Sequence, residues 1–161
     1  MCTRRASLTK QGFSGSGNVC GDRFHRRFSA EPIAVRDALR GAVARFARGI
    51  PVETCGTLEL ALAEALNNIV EHGYAGANAG SIELRLGCDG SALRCEIADE
   101  GEPMPDLALP EGRMPALSGD PACLPEGGWG WALIRTLASD LTYRRERSFN
   151  HLSFRIPLSS K

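Results

Sequence analysis

Apolar positions along this chain recur with two periods, and the change from one to the other marks out the elements. Phe24-His25-Arg26-Arg27-Phe28 predicts a short strand, ended by Ser29-Ala30-Glu31-Pro32. Ser29 or Ala30 then precedes a helix, and Pro32 suits its first turn. Val35, Ala38, Leu39, Ala42, Val43, Phe46 and Ala47 recur there at helical spacing until Gly49-Ile50-Pro51 closes the helix. A second helix is predicted from about Val52 or Thr57 to His72, with Gly73 as its stop. Leu58, Leu62, Ala65 and Ile69 draw one core stripe along it.

The period then changes to two. Ile82, Leu84 and Leu86 alternate with Glu83 and Arg85; Leu93, Cys95 and Ile97 alternate with Arg94 and Glu96. Cys88-Asp89-Gly90-Ser91 supplies the hairpin turn between these strands. From Gly101 to Gly128 the pattern dissolves into Pro, Gly and scattered Met and Leu, a length that inside a compact domain reads as a lid over a ligand. A third helix follows near Trp131, then strands at Leu141-Thr142-Tyr143-Arg144 and Leu152-Ser153-Phe154-Arg155-Ile156. The order β-α-α-β-β-lid-α-β-β predicts a two-layer α/β (α+β) sandwich whose mostly antiparallel sheet is covered by helices.

Composition narrows this picture without choosing a partner. The 161 residues suit one domain; residues 1–22 read as a disordered polar tail and 23–161 as the folded unit. Lys plus Arg and Asp plus Glu both number 19, so no basic excess points to nucleic acid. Cys2, Cys20, Cys55, Cys88, Cys95 and Cys123 form no C-x-x-C pair and no zinc or disulfide framework. No apolar run approaches a membrane span, and the N-terminus lacks a secretory h-region. The expectation is a cytoplasmic protein with no membrane contact.

Three places could carry chemistry. On the second helix Glu64 and Asn68 lie one turn apart at the edge of the apolar arc, and Glu71 and His72 extend that flank. Asn68 offers a hard oxygen to Mg²⁺, and Glu64 could orient or deprotonate a water or hydroxyl that attacks a γ-phosphate. The same pair also fits a solvated flank with i,i+4 polar contacts. Asp99 ends an apolar strand before Glu100 and Gly101; an ionised carboxylate there can accept from an adenine amino group, and Gly101 lets the backbone approach the base. An ordinary turn would look similar. Gly127-Gly128-Trp129-Gly130 runs into the third helix, where free N–H groups and the helix dipole suit phosphates, or where a plain hinge would serve. It is neither a P-loop nor a dinucleotide fingerprint.

Taken together, the three resemble the N, G1 and G2 boxes of the Bergerat-fold (GHKL-type) ATPases, an α/β sandwich with an ATP lid. Leu62-Ala63-Glu64-Ala65-Leu66-Asn67-Asn68-Ile69-Val70-Glu71-His72-Gly73-Tyr74, Ile97-Ala98-Asp99-Glu100-Gly101 and Gly128-Trp129-Gly130-Trp131-Ala132-Leu133-Ile134 are most similar to those boxes in the bacterial anti-sigma factor serine/threonine kinases. Leu152-Ser153-Phe154 is similar to their last strand, and the likeness covers about residues 24–158. The resemblance implies ATP and Mg²⁺ as cofactors, with Glu64 as general base and Asn68 as the metal ligand. Asp99 would read adenine, Gly101 would permit its approach, and Gly128, Trp129 and Gly130 would surround the phosphates.

It also implies a serine/threonine protein kinase that acts as an anti-sigma factor. Such a kinase binds a sigma factor, phosphorylates a STAS-domain anti-anti-sigma protein, and forms a homodimer. Two features depart from the pattern: Trp129 and Trp131 are bulky for a glycine box, and Arg113 is the lid's lone cation. They leave two alternatives open, a non-catalytic ATP-binding module that switches partner binding and a detached ATPase module of a phosphorelay. His72 reads as structural.

Overall fold

The computed structural model of the chain describes residues 21–76, 80–112 and 129–158. Five strands, β1 (Arg23–Ser29), β2 (Ser81–Cys88), β3 (Ala92–Asp99), β4 (Ser139–Glu146) and β5 (Phe149–Pro157), form one sheet in the order β1-β2-β3-β5-β4. Every neighbouring pair is antiparallel. Three helices, α1 (Pro32–Phe46), α2 (Val52–Asn68) and α3 (Trp129–Leu137), accompany it. This is the α+β sandwich that the periodicity predicts, with β3 at the centre of the sheet.

The two-residue alternation decides which face is covered. Ile82, Leu84 and Leu86 of β2, Leu93, Cys95 and Ile97 of β3, and Leu152, Phe154 and Ile156 of β5 are buried in one core. Val35, Ala38, Ala42 and Phe46 of α1 join that core with Leu58, Leu62, Ala65 and Leu66 of α2. Each buried Leu or Ile stabilises the fold by about 1.5–3 kcal/mol, so this shared face fixes the layer. The opposite parity carries Glu83, Arg85, Arg94 and Glu96, which pair among themselves, Arg85 with Glu83 at 2.6 Å and Arg94 with Glu96 at 3.1 Å. That face stays polar.

The β2–β3 turn is held by Asp89, whose Oδ1 accepts from the Ser91 and Ala92 N–H groups at 2.9 Å each. Those bonds, with the Ser91 hydroxyl and Arg155 beside it, hold the Asp89 carboxyl down from 3.8 to about 2. Burial pushes the Cys95 thiol up, the behaviour of an inert apolar side chain. Among the described residues no group of three or more His, Cys, Asp or Glu could hold a metal. No described helix is long and apolar enough to cross a membrane.

Several element ends differ from expectation: β4 begins at Ser139 and β5 at Phe149, ahead of the expected Leu141 and Leu152. The second helix is α-helical only to Asn68, and Ile69–Gly73 form a π-helical turn. The third helix begins at Trp129, two residues earlier than the apolar pattern places it, so Gly130 lies inside its first turn. Of the stretch read as a lid, residues 101–112 are described and include a 3-10 turn at Pro105–Leu107. Residues 1–20, Arg113 and Gly128 lie outside the described residues.

Candidate functional site

A cavity of about 370 Å³ opens between the C-terminal end of α2, the mouth of β3 and the first turn of α3. Asn68, His72, Gly73, Asp99, Trp131 and Asn150 are among the residues lining it. The volume falls within the usual range for a small-molecule site, roughly 300–1,000 Å³. Two of the three candidate stretches, far apart in sequence, therefore meet at one opening, and the third closes over one side through Trp131.

The base of the cavity is built from glycines and buried hydrogen bonds. The last carbonyls of a helix have no partner within it. Gly73, at the end of the π turn, finds one outside, since the Glu102 N–H donates to its carbonyl at 2.8 Å. A Cβ on Gly101 would lie 2.7 Å from the Gly73 oxygen, so this approach requires glycine at 101. Tyr74 tightens the same corner: its hydroxyl donates to the Ser81 carbonyl at 3.2 Å and accepts from the Glu100 N–H at 3.0 Å. Burial raises the Tyr74 pKa. The Gly73-Tyr74 pair thus serves to hold the turn after Asp99, a role the sequence alone left unassigned.

Asp99 is 4% exposed, at the end of the central strand. Its Oδ1 accepts from the Gly101 N–H at 2.8 Å and from Asn150 Nδ2 at 2.9 Å. Burial pushes its pKa above the ordinary aspartate value, while the Asn150 and Gly101 bonds and the charges of Arg145 and His151 pull it back. Oδ2 makes none of these bonds and is the oxygen left for a ligand donor.

Asn150 sits opposite Asp99 in the β3–β5 register and is also buried. It is missed by reading the last strand from Leu152. A signal was present: Asn150 shares the inward parity of Leu152, Phe154 and Ile156, and Asn is depleted in strands unless something holds it there.

The other end is less complete. Glu64 and Asn68 are half-buried on α2. Asn68 Nδ2 is buried with no hydrogen-bond partner, a state that normally costs about 1–3 kcal/mol. A Cβ on Gly130 would lie 2.5 Å from Glu64 Oε2 and 3.1 Å from Asn68 Nδ2. Gly130 therefore leaves the space that both polar groups occupy, and α3 is seated directly on them. Asn68 lines the cavity; Glu64 stands beside it, outside the lining. Glu71 is exposed and takes no part. His72, read as structural, is exposed on the cavity wall, because the π turn carries it past the α2 register.

These residues fit a purine nucleotide with Mg²⁺. The space beside Gly101 is taken by the Gly73 backbone, so that glycine shapes the turn rather than the cavity, while Asp99, which lines the cavity, has Oδ2 to offer a base as an acceptor. The orphaned Asn68 amide fits an anionic or metal-bound oxygen beyond it. A single carboxamide oxygen with no acidic cage suits Mg²⁺, which keeps several waters and leans on the phosphates of its ligand.

Fold and cavity together define an α/β sandwich with a ligand-sized opening and a covering helix at one side of it. The sequence profile of the histidine kinase-like ATPase domain matches residues 28–156, and the chain belongs to that family. It is similar to the serine/threonine-protein kinase BtrW of Bordetella bronchiseptica, 36% identical over 100 residues. That match covers 60% of this chain and 66% of BtrW, just under two-thirds of the relative's length. A crystal structure of the RsbU and RsbW domains of Rv1364c from Mycobacterium tuberculosis shares the fold, with a TM-score of 0.57 and 20% identity. The likeness spans 86% of this chain and 33% of that one.

Proposed function

We propose that this chain is an ATP-dependent serine/threonine protein kinase of the anti-sigma factor type. Its substrate would be a STAS-domain anti-anti-sigma partner, and its regulatory target a sigma factor. The observation that carries this reading is the convergence of Asn68 and Asp99 on one cavity, with Glu64 packed beside Asn68 under Gly130. The likeness to a serine/threonine-protein kinase supports the choice of substrate class.

In this reading Asp99 Oδ2 accepts from the amino group of adenine, and Gly101 shapes the turn beside it. Asn68 Oδ1 is the side-chain ligand for Mg²⁺, while Gly128, Trp129 and Gly130 border the phosphates. When bound, Mg²⁺ supplies positive charge against the phosphate oxygens. Glu64 takes the proton of the attacking serine or threonine hydroxyl on its carboxylate. Its i,i+4 relation to Asn68 on one rigid helix keeps that carboxylate within a turn of the metal ligand. The protein would work in the cytoplasm as a homodimer, residues 23–161 forming the kinase unit; equilibrium sedimentation tests the dimer.

The test is incubation with labelled ATP, Mg²⁺ and a cognate STAS-domain protein. Label on the STAS protein, stable to acid as a serine or threonine ester is, supports the reading. Intact ATP binding with no label transferred removes the kinase claim. A second reading, a non-catalytic ATP-binding module that switches partner affinity, is favoured by the absence of any Lys or Arg among the described lining residues. It requires nucleotide-dependent partner binding without transfer. An acid-labile product on a histidine would instead indicate an ATPase module of a phosphorelay.

A further inference from the structure

Asn150 makes more hydrogen bonds than any turn requires. Its Nδ2 donates to Asp99 Oδ1 at 2.9 Å, to the Gly101 carbonyl at 3.1 Å and to the Glu102 carbonyl at 3.2 Å. Its Oδ1 accepts from the Tyr143 hydroxyl at 2.8 Å and from Arg145 Nη1 at 2.7 Å. Arg145 Nη1 also donates to the Gly101 carbonyl at 2.9 Å, and the Tyr143 hydroxyl accepts from the Met104 N–H at 3.1 Å. One side chain on β5 thus ties two residues of β4 to the whole turn that follows β3.

The chemistry of the donors gives this cluster a direction. A guanidinium can only donate, so Arg145 obliges Asn150 to present its oxygen to β4 and its amide N–H groups to Asp99. Nδ2 and the Gly101 N–H then fill Asp99 Oδ1. Oδ2 is the acceptor that remains to Asp99, which lines the cavity. A purine with a 6-amino group donates at that position, whereas a 6-oxo purine presents an acceptor there and meets a second one.

We infer that Asn150, with its amide oriented by Arg145, is a positioning residue that fixes the ligand-facing oxygen of Asp99 and thereby makes the cavity select 6-amino over 6-oxo purine nucleotides. This rests on the nucleotide reading of the cavity given above. Without Asn150, Asp99 loses a donor and its fixed rotamer, and a rotated or protonated carboxyl can serve either base. Arg145 acts one step further out, through the orientation of the amide and the carbonyl of Gly101.

The experiment is calorimetric titration of the full chain with Mg·ATP and, separately, with Mg·GTP. The wild type, Asn150→Ala and Arg145→Met are compared, each checked by thermal unfolding. The wild type should prefer ATP. Asn150→Ala should lower ATP affinity about tenfold, the loss expected for one bond to a charged group, with a smaller effect on GTP. The ATP-to-GTP ratio then moves toward one. Arg145→Met should move the ratio the same way by less, and it carries the test if Asn150→Ala does not fold. Parallel loss of both nucleotides, leaving the ratio unmoved, would mean a purely structural role and would overturn the inference while leaving the nucleotide reading intact. A wild type that binds neither nucleotide would overturn that reading, and the inference with it.

Discussion

The two ends of the cavity are built to different standards. Around Asp99 the donors and acceptors are closely matched: Gly101, Asn150, Arg145, Tyr143 and Gly73 are bonded to one another or to the turn that follows β3. Around Asn68 the opposite holds, with a buried amide lacking a partner beside a Glu64 carboxylate that lies where a side chain at position 130 would reach. In the proposed reading, the base-reading end is organised before the ligand arrives and the phosphate end is left for the ligand to complete. Preorganisation at one end gives selectivity, since fewer groups must be ordered on binding. In that reading, a metal and phosphates supply the partners that the Asn68 end lacks.

Substitutions can break this contrast from either side. The largest effect is expected at the open end, on chemistry alone. Glu64→Gln should lower phosphoryl transfer by about 10²–10⁴-fold, the usual contribution of a general base, and leave ATP affinity unchanged. Equal loss of binding and transfer in a filter assay with labelled ATP would contradict the role given to Glu64.

At the organised end the expected loss is in binding. Asp99→Asn should weaken ATP by roughly 10–100-fold, as for removal of a hydrogen bond to a charged group. The same change should not destabilise the protein. Because burial raises the Asp99 pKa, its contribution to stability is fully present below the ordinary aspartate value. That contribution is lost as pH rises through the raised one. Asn carries no such charge, so at neutral pH the variant should unfold at the same temperature or higher, which thermal denaturation at several pH values checks.

Two glycines sharpen the comparison further. Gly101→Ala drives a Cβ against the Gly73 backbone, which cannot yield, and should cost about 1–3 kcal/mol of stability together with ATP binding. Gly130→Ala meets the end of the Glu64 side chain, which can move. Alanine in a helix gains up to about 1 kcal/mol over glycine, so the fold should hold while transfer falls. Paired unfolding curves and transfer assays separate the two outcomes. The smallest effect lies away from the site. Asp89→Asn should flatten the loss of stability that the wild type shows as pH falls from 3.8 toward about 2, since the held-down carboxyl contributes fully above its ordinary pKa and loses that contribution as pH falls through the lowered one.

Period and punctuation in the sequence suffice for the sandwich, because each strand shows one parity to the core and each helix one stripe. Asp99 and Gly101 stand out in the sequence as a carboxylate and a glycine at the mouth of an apolar strand, a pattern an ordinary turn also fits, and the structure places Asp99 on the cavity wall. Asn150, two residues before Leu152 and on the same inward parity, carries a comparable signal. The π turn was not legible, since Ile69–Gly73 keeps an apolar spacing that an α-helix would also satisfy. It is that turn which turns Glu71 away and puts His72 on the cavity wall. The closeness of Gly130 to Glu64 and Asn68 depends on how α3 seats on α2, a matter of packing between elements that no local pattern encodes.

The proposed function requires that Asp99 and Asn68 be opposite ends of a single Mg·ATP site. Titration of the labelled full chain with ATP, with and without Mg²⁺, followed residue by residue by amide NMR, tests it directly. The expected result is saturable shifts at Gly101 and Glu102 with or without the metal, joined by the Asn68 side-chain amide and Gly130 only when Mg²⁺ is present. Saturable shifts confined to the polar face of the sheet, or none at either end of the cavity, would contradict it.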